Sequence, residues 1–423
     1  MDDGEHDWGW LMRSKRLPGL VVLAALLIAC STTLLGTNRA AVKTTNVFAA
    51  KQVTGTAPPD DVRIQSESRL AVTDLGASIN CNATPNVRIS MIYNTFPGVL
   101  TSSGSGPFID AVYSNDLGVT WFKTNNGNGL PSPTGNYTLQ WVDPAAVACP
   151  DPNRPQRVFI GSLAAKVTSA AFSGGVPAEK GACIYVSDDG GITFALDGCV
   201  PGGGPAGLHY DGASFACDDT GRLYAAFLSV DPLKLALGIG GVDVWQRDPG
   251  GVYTQLPSPY PAAGKSASGH PRLAATSGGL YLSVATISSG VTNQDFEGRL
   301  ELAFLPLNGG WTLPANRPAS NALVYQCNQP SNAINFRVAP DQALDVGDPS
   351  ALGSDEVRVM YGADNSLGQS CTNNQGPVGL RTLHCDLTLT SCADEDPSSG
   401  SYWGTNPSGQ QFDLDPGVQS CTA

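Results

Sequence analysis

The chain has 423 residues, of which 49 are Gly and 31 are Pro, and only 14% are charged. Gly and Pro are the two poorest helix formers, so a helical bundle is excluded and many short strands joined by turns are expected. A hydrophobic fraction of 41% excludes wholesale disorder, and a net charge of −13 repels phosphate backbones, so no nucleic-acid partner is expected.

The N-terminus reads as an address. Met12-Arg-Ser-Lys-Arg16 is followed by a mostly apolar run from Leu17 to Ala29 and then Cys30. A basic head before a short apolar stretch is a secretory signal. Leu27-Ile28-Ala29-Cys30 has the form of a lipobox, in which Cys30 is lipidated. The acidic residues Asp2, Asp3 and Glu5 sit oddly ahead of that head, so Met12 is read as the true start. The apolar run is shorter than the roughly 20 residues a membrane-spanning helix needs, so contact with the membrane is expected through the lipid alone. Residues 1–30 are thus assigned to the signal peptide, 31–61 to a polar tether and 62–423 to the folded body.

The body repeats. Five segments read as strands rich in aromatic and branched residues, beginning at Val87, Arg157, Arg222, Leu280 and Val357. Each is followed by a second strand: Phe108–Tyr113, Ala182–Val186, Gly241–Trp245, Arg299–Phe304 and Leu380–Cys385. Each is preceded by a short strand of small residues: Arg69–Val72, Ala145–Ala148, Gly212–Phe215, Arg272–Ala275 and Arg337–Ala339. With one further strand per repeat these make four-stranded units, and small residues at one fixed point suit the crowded axis of a β-propeller. Five units are legible. Strands near Thr44–Val53 and the C-terminal tail could share a closing sixth, and the chain is open to truncation at Ala423.

Two turns after the second strand share the pattern Ser-x-Asp-x-Gly-x-Thr-aromatic. They are Ser114, Asp116, Gly118, Thr120 and Trp121 in one copy, and Ser187, Asp189, Gly191, Thr193 and Phe194 in the other. The Asp accepts backbone N–H bonds, Gly takes a positive φ and the ring packs under the turn. Asp248-Pro-Gly250-Gly-Val-Tyr253 is a degenerate third copy and Asn308-Gly-Gly-Trp311 a faint fourth. With these turns the chain, over residues 62 to 390, resembles the Asp-box (BNR-repeat) proteins, whose best-known members are six-bladed sialidases. The resemblance implies an all-β, sialidase-like β-propeller of six blades.

A sialidase site implies three arginines gripping a carboxylate, a Tyr nucleophile activated by Glu, and an Asp acid/base. Arg69, Arg272 and Arg337 begin the first, fourth and fifth short strands and match the arginine part, which would suit an anion; the alternative is that they merely open strands at the solvent end. The remainder departs. No Arg-Ile-Pro occurs at Arg69, no carboxylate precedes Asp110 in its loop, no Glu lies between Asp248 and Arg272, and Tyr361 and Tyr402 lack a supporting motif. A second polar set, His209, Tyr210, Asp211 and His270 with Asp143, precedes the short strands of three repeats. With Arg272 it would line a pocket for a sugar or other small ligand, although Asp143 followed by Pro144 also reads as a turn residue.

Eleven cysteines less Cys30 leave ten, an even number that points to disulfides in an exported protein. Cys183 and Cys199 flank one Asp turn and are paired; the others stay open. No metal-ligand spacing occurs, and neither metal nor cofactor is expected. The reading is an outer-membrane or surface lipoprotein that binds an extracellular glycan or other small ligand without turning it over. The alternatives are an exo-sialidase-like glycoside hydrolase and an envelope platform for protein partners.

Overall fold

A computed structural model describes residues 64–75, 86–96, 109–133, 137, 139–140, 143–149, 151, 153–166, 179–202, 209–230, 239–260, 265–288, 296–307, 309–312, 323–328, 337–338, 342–347, 356–364 and 378–395. The signal peptide, Cys30, the tether, Tyr402, the sixth-blade expectation and the chain's end fall outside them.

The described chain is an all-β propeller whose strands fall into five antiparallel units, the third and fourth joined into one sheet where Ile239 and Gly240 pair with Ser268 and Ala267. The first comprises β1 (Ile64–Asp74), β2 (Val87–Phe96), β3 (Ile109–Ser114) and β4 (Phe122–Lys123), in that order across the sheet. In the second, β5 (Leu139–Gln140) and β6 (Ala145–Ala148) both pair with β7 (Val158–Lys166), followed by β8 (Glu179–Ser187) and β9 (Ala195–Val200). The third runs β10 (His209–Cys217), β11 (Leu223–Val230), β12 (Ile239–Arg247) and β13 (Tyr253–Tyr260). The fourth runs β14 (Lys265–Thr276), β15 (Gly279–Ser288), β16 (Phe296–Pro306) and β17 (Leu323–Asn328), with the two-residue β18 (Arg337–Val338) on its outer edge. The fifth runs β19 (Gln342–Gly347), β20 (Glu356–Asp364), β21 (Val378–Asp386) and β22 (Cys392–Glu395).

The innermost strands touch in chain order: β1 lies on β6, β6 on β10, β10 on β14 and β14 on β19. Small residues make this possible, since Ala71, Ala145, Ala213 and Ala216 are all buried there. The hydrophobic core is correspondingly divided, with one cluster at each of four seams and a small fifth (Met91, Tyr93 and Val112, with Trp121 against them) within the first unit. Ala71, Ile92 and Ile109 meet Val158, Ile160 and Tyr185 between the first two units. Phe159 and Ile184 meet Phe215 and Phe227 between the next two. Val242 and Val244 meet Leu273 and Leu282 at the third seam, and Leu300 and Leu302 meet Val357 and Val359 at the fourth. A two-layer sandwich would have one shared core; four serial seams are the consequence of radial packing.

Polar latches cross the same seams. Arg88 reaches the Asp189 carbonyl, and Ser90 Oγ donates to the Gly190 carbonyl at 3.0 Å. Asn125, in a 3₁₀ turn (Asn125–Gly127) after β4, donates to the Phe194 carbonyl at 3.2 Å and accepts from its N–H at 2.8 Å. At the second seam Arg247 grips both oxygens of Asp197 at 2.6 Å, and Tyr253 OH adds a third bond at 2.5 Å. Bonding to Asp197 raises the Arg247 pKa, outweighing burial. Tyr260 OH donates to Glu301 Oε2 at 3.0 Å, and Tyr281 OH to the Leu387 carbonyl at 2.9 Å, across the third and fourth seams.

Three disulfides are formed among the described residues: Cys183–Cys199, Cys149–Cys217 and Cys385–Cys392. The first sits opposite itself across β8 and β9, as the turn symmetry implies. The second staples the ends of β6 and β10, two neighbouring innermost strands. Disulfides are compatible with an exported protein.

One strand assignment is corrected. Arg337-Val338 does not begin the fifth innermost strand: it pairs with Cys327 and Asn328 of β17, at the outer edge of the fourth unit. The innermost position next to β20 belongs to Gln342–Gly347. Arg337 therefore does not stand where Arg69 and Arg272 stand.

Candidate functional site at the bulged inner strands

Four innermost strands break their ladders at the same level. The register slips between Ser66 and Arg69 in β1, between Asp211 and Ala213 in β10, and between Ser268 and Arg272 in β14. In the second unit the break lies between Gln140 of β5 and Ala145 of β6, both paired to β7. A bulge releases its residues from the ladder and re-aims their side chains. The sequence provides for this with positive φ at Asp143 (54°), Gly212 (53°) and Gly269 (71°). Glycine adopts such angles freely and Asp is among the few other residues that tolerate them.

Three of these bulges meet. One ligand atom each from Asp143, Asp211 and His270 lie within 4.8 Å of one another, and all three side chains are half-buried. The Gly212 N–H donates to Asp143 Oδ2 at 3.1 Å, tying the second unit's bulge to the third's. A Cβ on Gly212 would come 2.5 Å from His270 Cδ2, so only glycine lets the fourth unit's imidazole close over this backbone. Among the described residues the Asp211 carboxylate takes part in no hydrogen bond or ion pair, leaving its oxygens for a ligand. Arg69 and Arg272 are the first paired residues after their bulges; Ala145 and Ala213 are their counterparts in the units between. Both arginines are half-buried, with Nη1 on the preceding carbonyl: Ser68 at 3.1 Å and Pro271 at 3.2 Å. Chemically this is an end of the propeller furnished with two carboxylates, an imidazole and guanidinium donors.

Other residues expected here lie elsewhere. His209 is buried at 3% exposure and Tyr210 at 0%, so both belong to the interior of the third unit and not to the cluster. The Tyr210 ring stacks on Phe227 with centroids 4.7 Å apart. Its hydroxyl donates to Asp243 Oδ2 at 3.1 Å and accepts from Trp245 Nε1 at 2.9 Å. Burial pushes the Tyr210 hydroxyl far above its ordinary range, aided by the Asp243 charge. Burial likewise raises Asp243, against the hydrogen bonds from Tyr210, Ser229 and Gln255. Asp110 is buried in β3 with Lys123 Nζ 2.8 Å away. Tyr361 falls in β20.

The Ser-x-Asp-x-Gly-x-Thr turns lie at the opposite end of the blades. Ser114 Oγ donates to Asp116 Oδ1 at 2.8 Å and accepts from the Gly118 N–H at 2.8 Å, while the Thr120 N–H reaches Asp116 Oδ1 at 2.8 Å. The Asp189 turn repeats the arrangement: Ser187 Oγ at 2.7 Å, Thr193 N at 3.0 Å and Thr193 Oγ1 at 2.6 Å. Gly118 and Gly191 have φ of 87° and 97°. Burial works against both carboxylates, but the hydrogen bonds from Thr120 or Thr193 and from the serine hold them below the usual range. A further turn escaped the sequence reading. Asp386 accepts from Thr390 N at 2.9 Å, Thr390 Oγ1 at 2.7 Å and Ser391 N at 3.0 Å. It lacks the glycine of the motif: Thr388 stands at that position, and the positive φ (56°) falls one residue later, at Leu389. The spacing of Asp386 and Thr390, repeating that of Asp116 and Thr120, was the available signal.

No family model and no curated protein matches the chain. Solved structures with a similar arrangement include a protein of unknown function from Dyadobacter fermentans (12% identity, 78% of this chain and 82% of that one, TM-score 0.45). An α-L-arabinofuranosidase of Fusarium graminearum solved with arabinobiose is 10% identical, with 82% and 96% covered and a TM-score of 0.44. An α-L-arabinanase of Penicillium chrysogenum is 12% identical, with 78% and 92% covered and a TM-score of 0.38. Likeness at this level bears on neither activity nor ligand.

Proposed function

We infer that this chain is an exported, lipid-anchored propeller of the Asp-box kind. It holds an extracellular carbohydrate, or a comparable small polyhydroxylated ligand, at the mouth formed by Asp143, Asp211, His270, Arg272 and Arg69, and does not turn it over. The observation that carries this reading is the meeting of three bulges from three successive blades, with Asp143, Asp211 and His270 ligand atoms within 4.8 Å. Carboxylates accept from sugar hydroxyls, guanidinium groups donate to them, and an imidazole does either. Concave mouths with a few convergent polar groups are where small ligands bind.

The same spacing supports binding over hydrolysis. A retaining glycosidase sets its carboxyl groups about 5–5.5 Å apart and an inverting one roughly 6.5–9.5 Å. Here one oxygen of each Asp lies within 4.8 Å of the other, shorter than either separation, and Asp143 Oδ2 is already engaged by the Gly212 N–H. Closeness to the retaining distance is the one feature that favours the second reading, a glycoside hydrolase. The test is a glycan array run beside a panel of fluorogenic glycosides, sialosides included, for wild type, Asp211→Asn and Arg272→Ala. Binding without turnover is expected, weakened about 10-fold or more by Asp211→Asn, in line with loss of a charged hydrogen bond. Turnover that Asp211→Asn abolishes would make the chain a hydrolase; binding untouched by both changes would remove the mouth as the site.

A further inference from the structure

We propose that Asp143, Asp211 and His270 together hold one divalent cation of the zinc class, with an open coordination position facing the mouth. The inference rests on the reading of this cluster as a binding site and names what it binds first. Nothing in the cysteine or histidine spacing announces such a site, because its three donors come from three blades and are more than 50 residues apart in sequence.

The geometry is that of simultaneous ligation. A tetrahedral ion with bonds of about 2.0–2.2 Å sets its donor atoms roughly 3.3–3.6 Å apart. All three donor atoms already lie within 4.8 Å of one another, so one ion reaches all of them with sub-ångström adjustments. The donor set is mixed. Imidazole with two carboxylates suits zinc and its first-row neighbours better than calcium or magnesium, which favour oxygen alone. Three protein ligands leave the fourth position of a tetrahedral site for water or a ligand hydroxyl, the pattern of open zinc sites.

A further observation points the same way. Asp211 is half-buried beside a second carboxylate yet, among the described residues, has neither a hydrogen bond nor an ion pair to neutralise it. A cation between the two carboxylates supplies that neutralisation.

The test uses tag-free, disulfide-intact protein stripped with a chelator and titrated calorimetrically with Zn²⁺, then with Mn²⁺ and Ca²⁺. One zinc ion per chain is expected at micromolar affinity or better, weakened at least 10-fold by Asp211→Asn and by His270→Gln. Asp219→Asn, which removes an exposed charge at the other end of the third unit, should leave the affinity within twofold. Thermal unfolding of each variant without metal separates loss of a ligand from loss of fold. Substitution with Co²⁺ gives a second readout: a visible absorption band that His270→Gln shifts. Zinc binding that is absent, or equal in all variants, overturns the proposal. Glycan binding is measured in parallel with and without chelator. If it persists in stripped protein and still depends on Asp211, the cation is refuted while the mouth stands; if zinc binds as described and no glycan does, the mouth's carbohydrate role fails instead.

Discussion

Removing the disulfide between Cys149 and Cys217 is the severest of the deletions open among the three disulfides of the described residues. It joins the ends of two adjacent innermost strands and closes a loop of 68 residues, against 16 for Cys183–Cys199 and 7 for Cys385–Cys392. Loop-closure entropy alone then gives about 4, 3 and 2 kcal/mol respectively at 25 °C. The first deletion also removes the Cys149 sulfur, fully buried in the second seam, and leaves a small void there, so packing loss adds to entropy. The experiment is equilibrium unfolding in urea without reductant, followed by tryptophan fluorescence, for the three paired Cys→Ala variants. The expected order of the loss in midpoint, at similar slope, is Cys149/Cys217 first, then Cys183/Cys199, then Cys385/Cys392. An inverted order, or a first variant losing under about 1 kcal/mol, would refute the claim that the inner strands are constrained through this bond.

Other consequences are equally direct. Asp197→Ala should cost about 3–5 kcal/mol in the same unfolding assay, because it strands the buried Arg247 guanidinium, whereas replacing the pair together by Leu and Met should cost far less. Hydrogen bonds depress the carboxylates of Asp116, Asp189 and Asp386, so the stability they contribute is complete above about pH 4 and is lost as the pH falls through their lowered values. Asp189→Asn should flatten that acid limb in a series of melts from pH 2 to 5. Asp243 has the opposite sign: burial raises it, so it costs stability as the pH rises from about 4 through its folded value. Asp243→Asn, which keeps an acceptor for Tyr210, should therefore raise the melting temperature at pH 7 relative to wild type. Gly212→Ala should displace His270 and lower glycan and zinc affinity at least 10-fold while changing the melting temperature by only a few degrees, as both titrations and a thermal melt will reveal.

Much of the fold could be read from residues because propeller packing leaves local marks. Ala145-Ala-Val-Ala148 and Ala213 can only be innermost, where neighbouring blades exclude larger side chains, and Cys183–Cys199 follows from a hairpin's symmetry. The fifth inner strand was misread because Arg337-Val-Ala339 imitates that composition; only pairing distinguishes it from Gln342–Gly347. Cys149–Cys217 was illegible for a related reason, being fixed by the contact of β6 with β10 and not by any spacing. At the mouth, sequence order put Asp143, His209, Tyr210, Asp211 and His270 on one list. Alternation along β10 then turned Tyr210 into the core, while the slip at Gly212 left Asp211 outside it. That one-residue slip is invisible without the partner strand.

The slipped positions carry a consequence of their own. Because each lies between two intact stretches of ladder, its side chain can be exchanged without disturbing the hydrogen bonds that hold the blade. The scaffold and its specificity are thus separable inheritances: substitutions at residues 211 and 270 can retarget the molecule, while Asp143, whose carboxylate holds the Gly212 N–H, and Gly212, where two blades lean on each other's backbone, must stay.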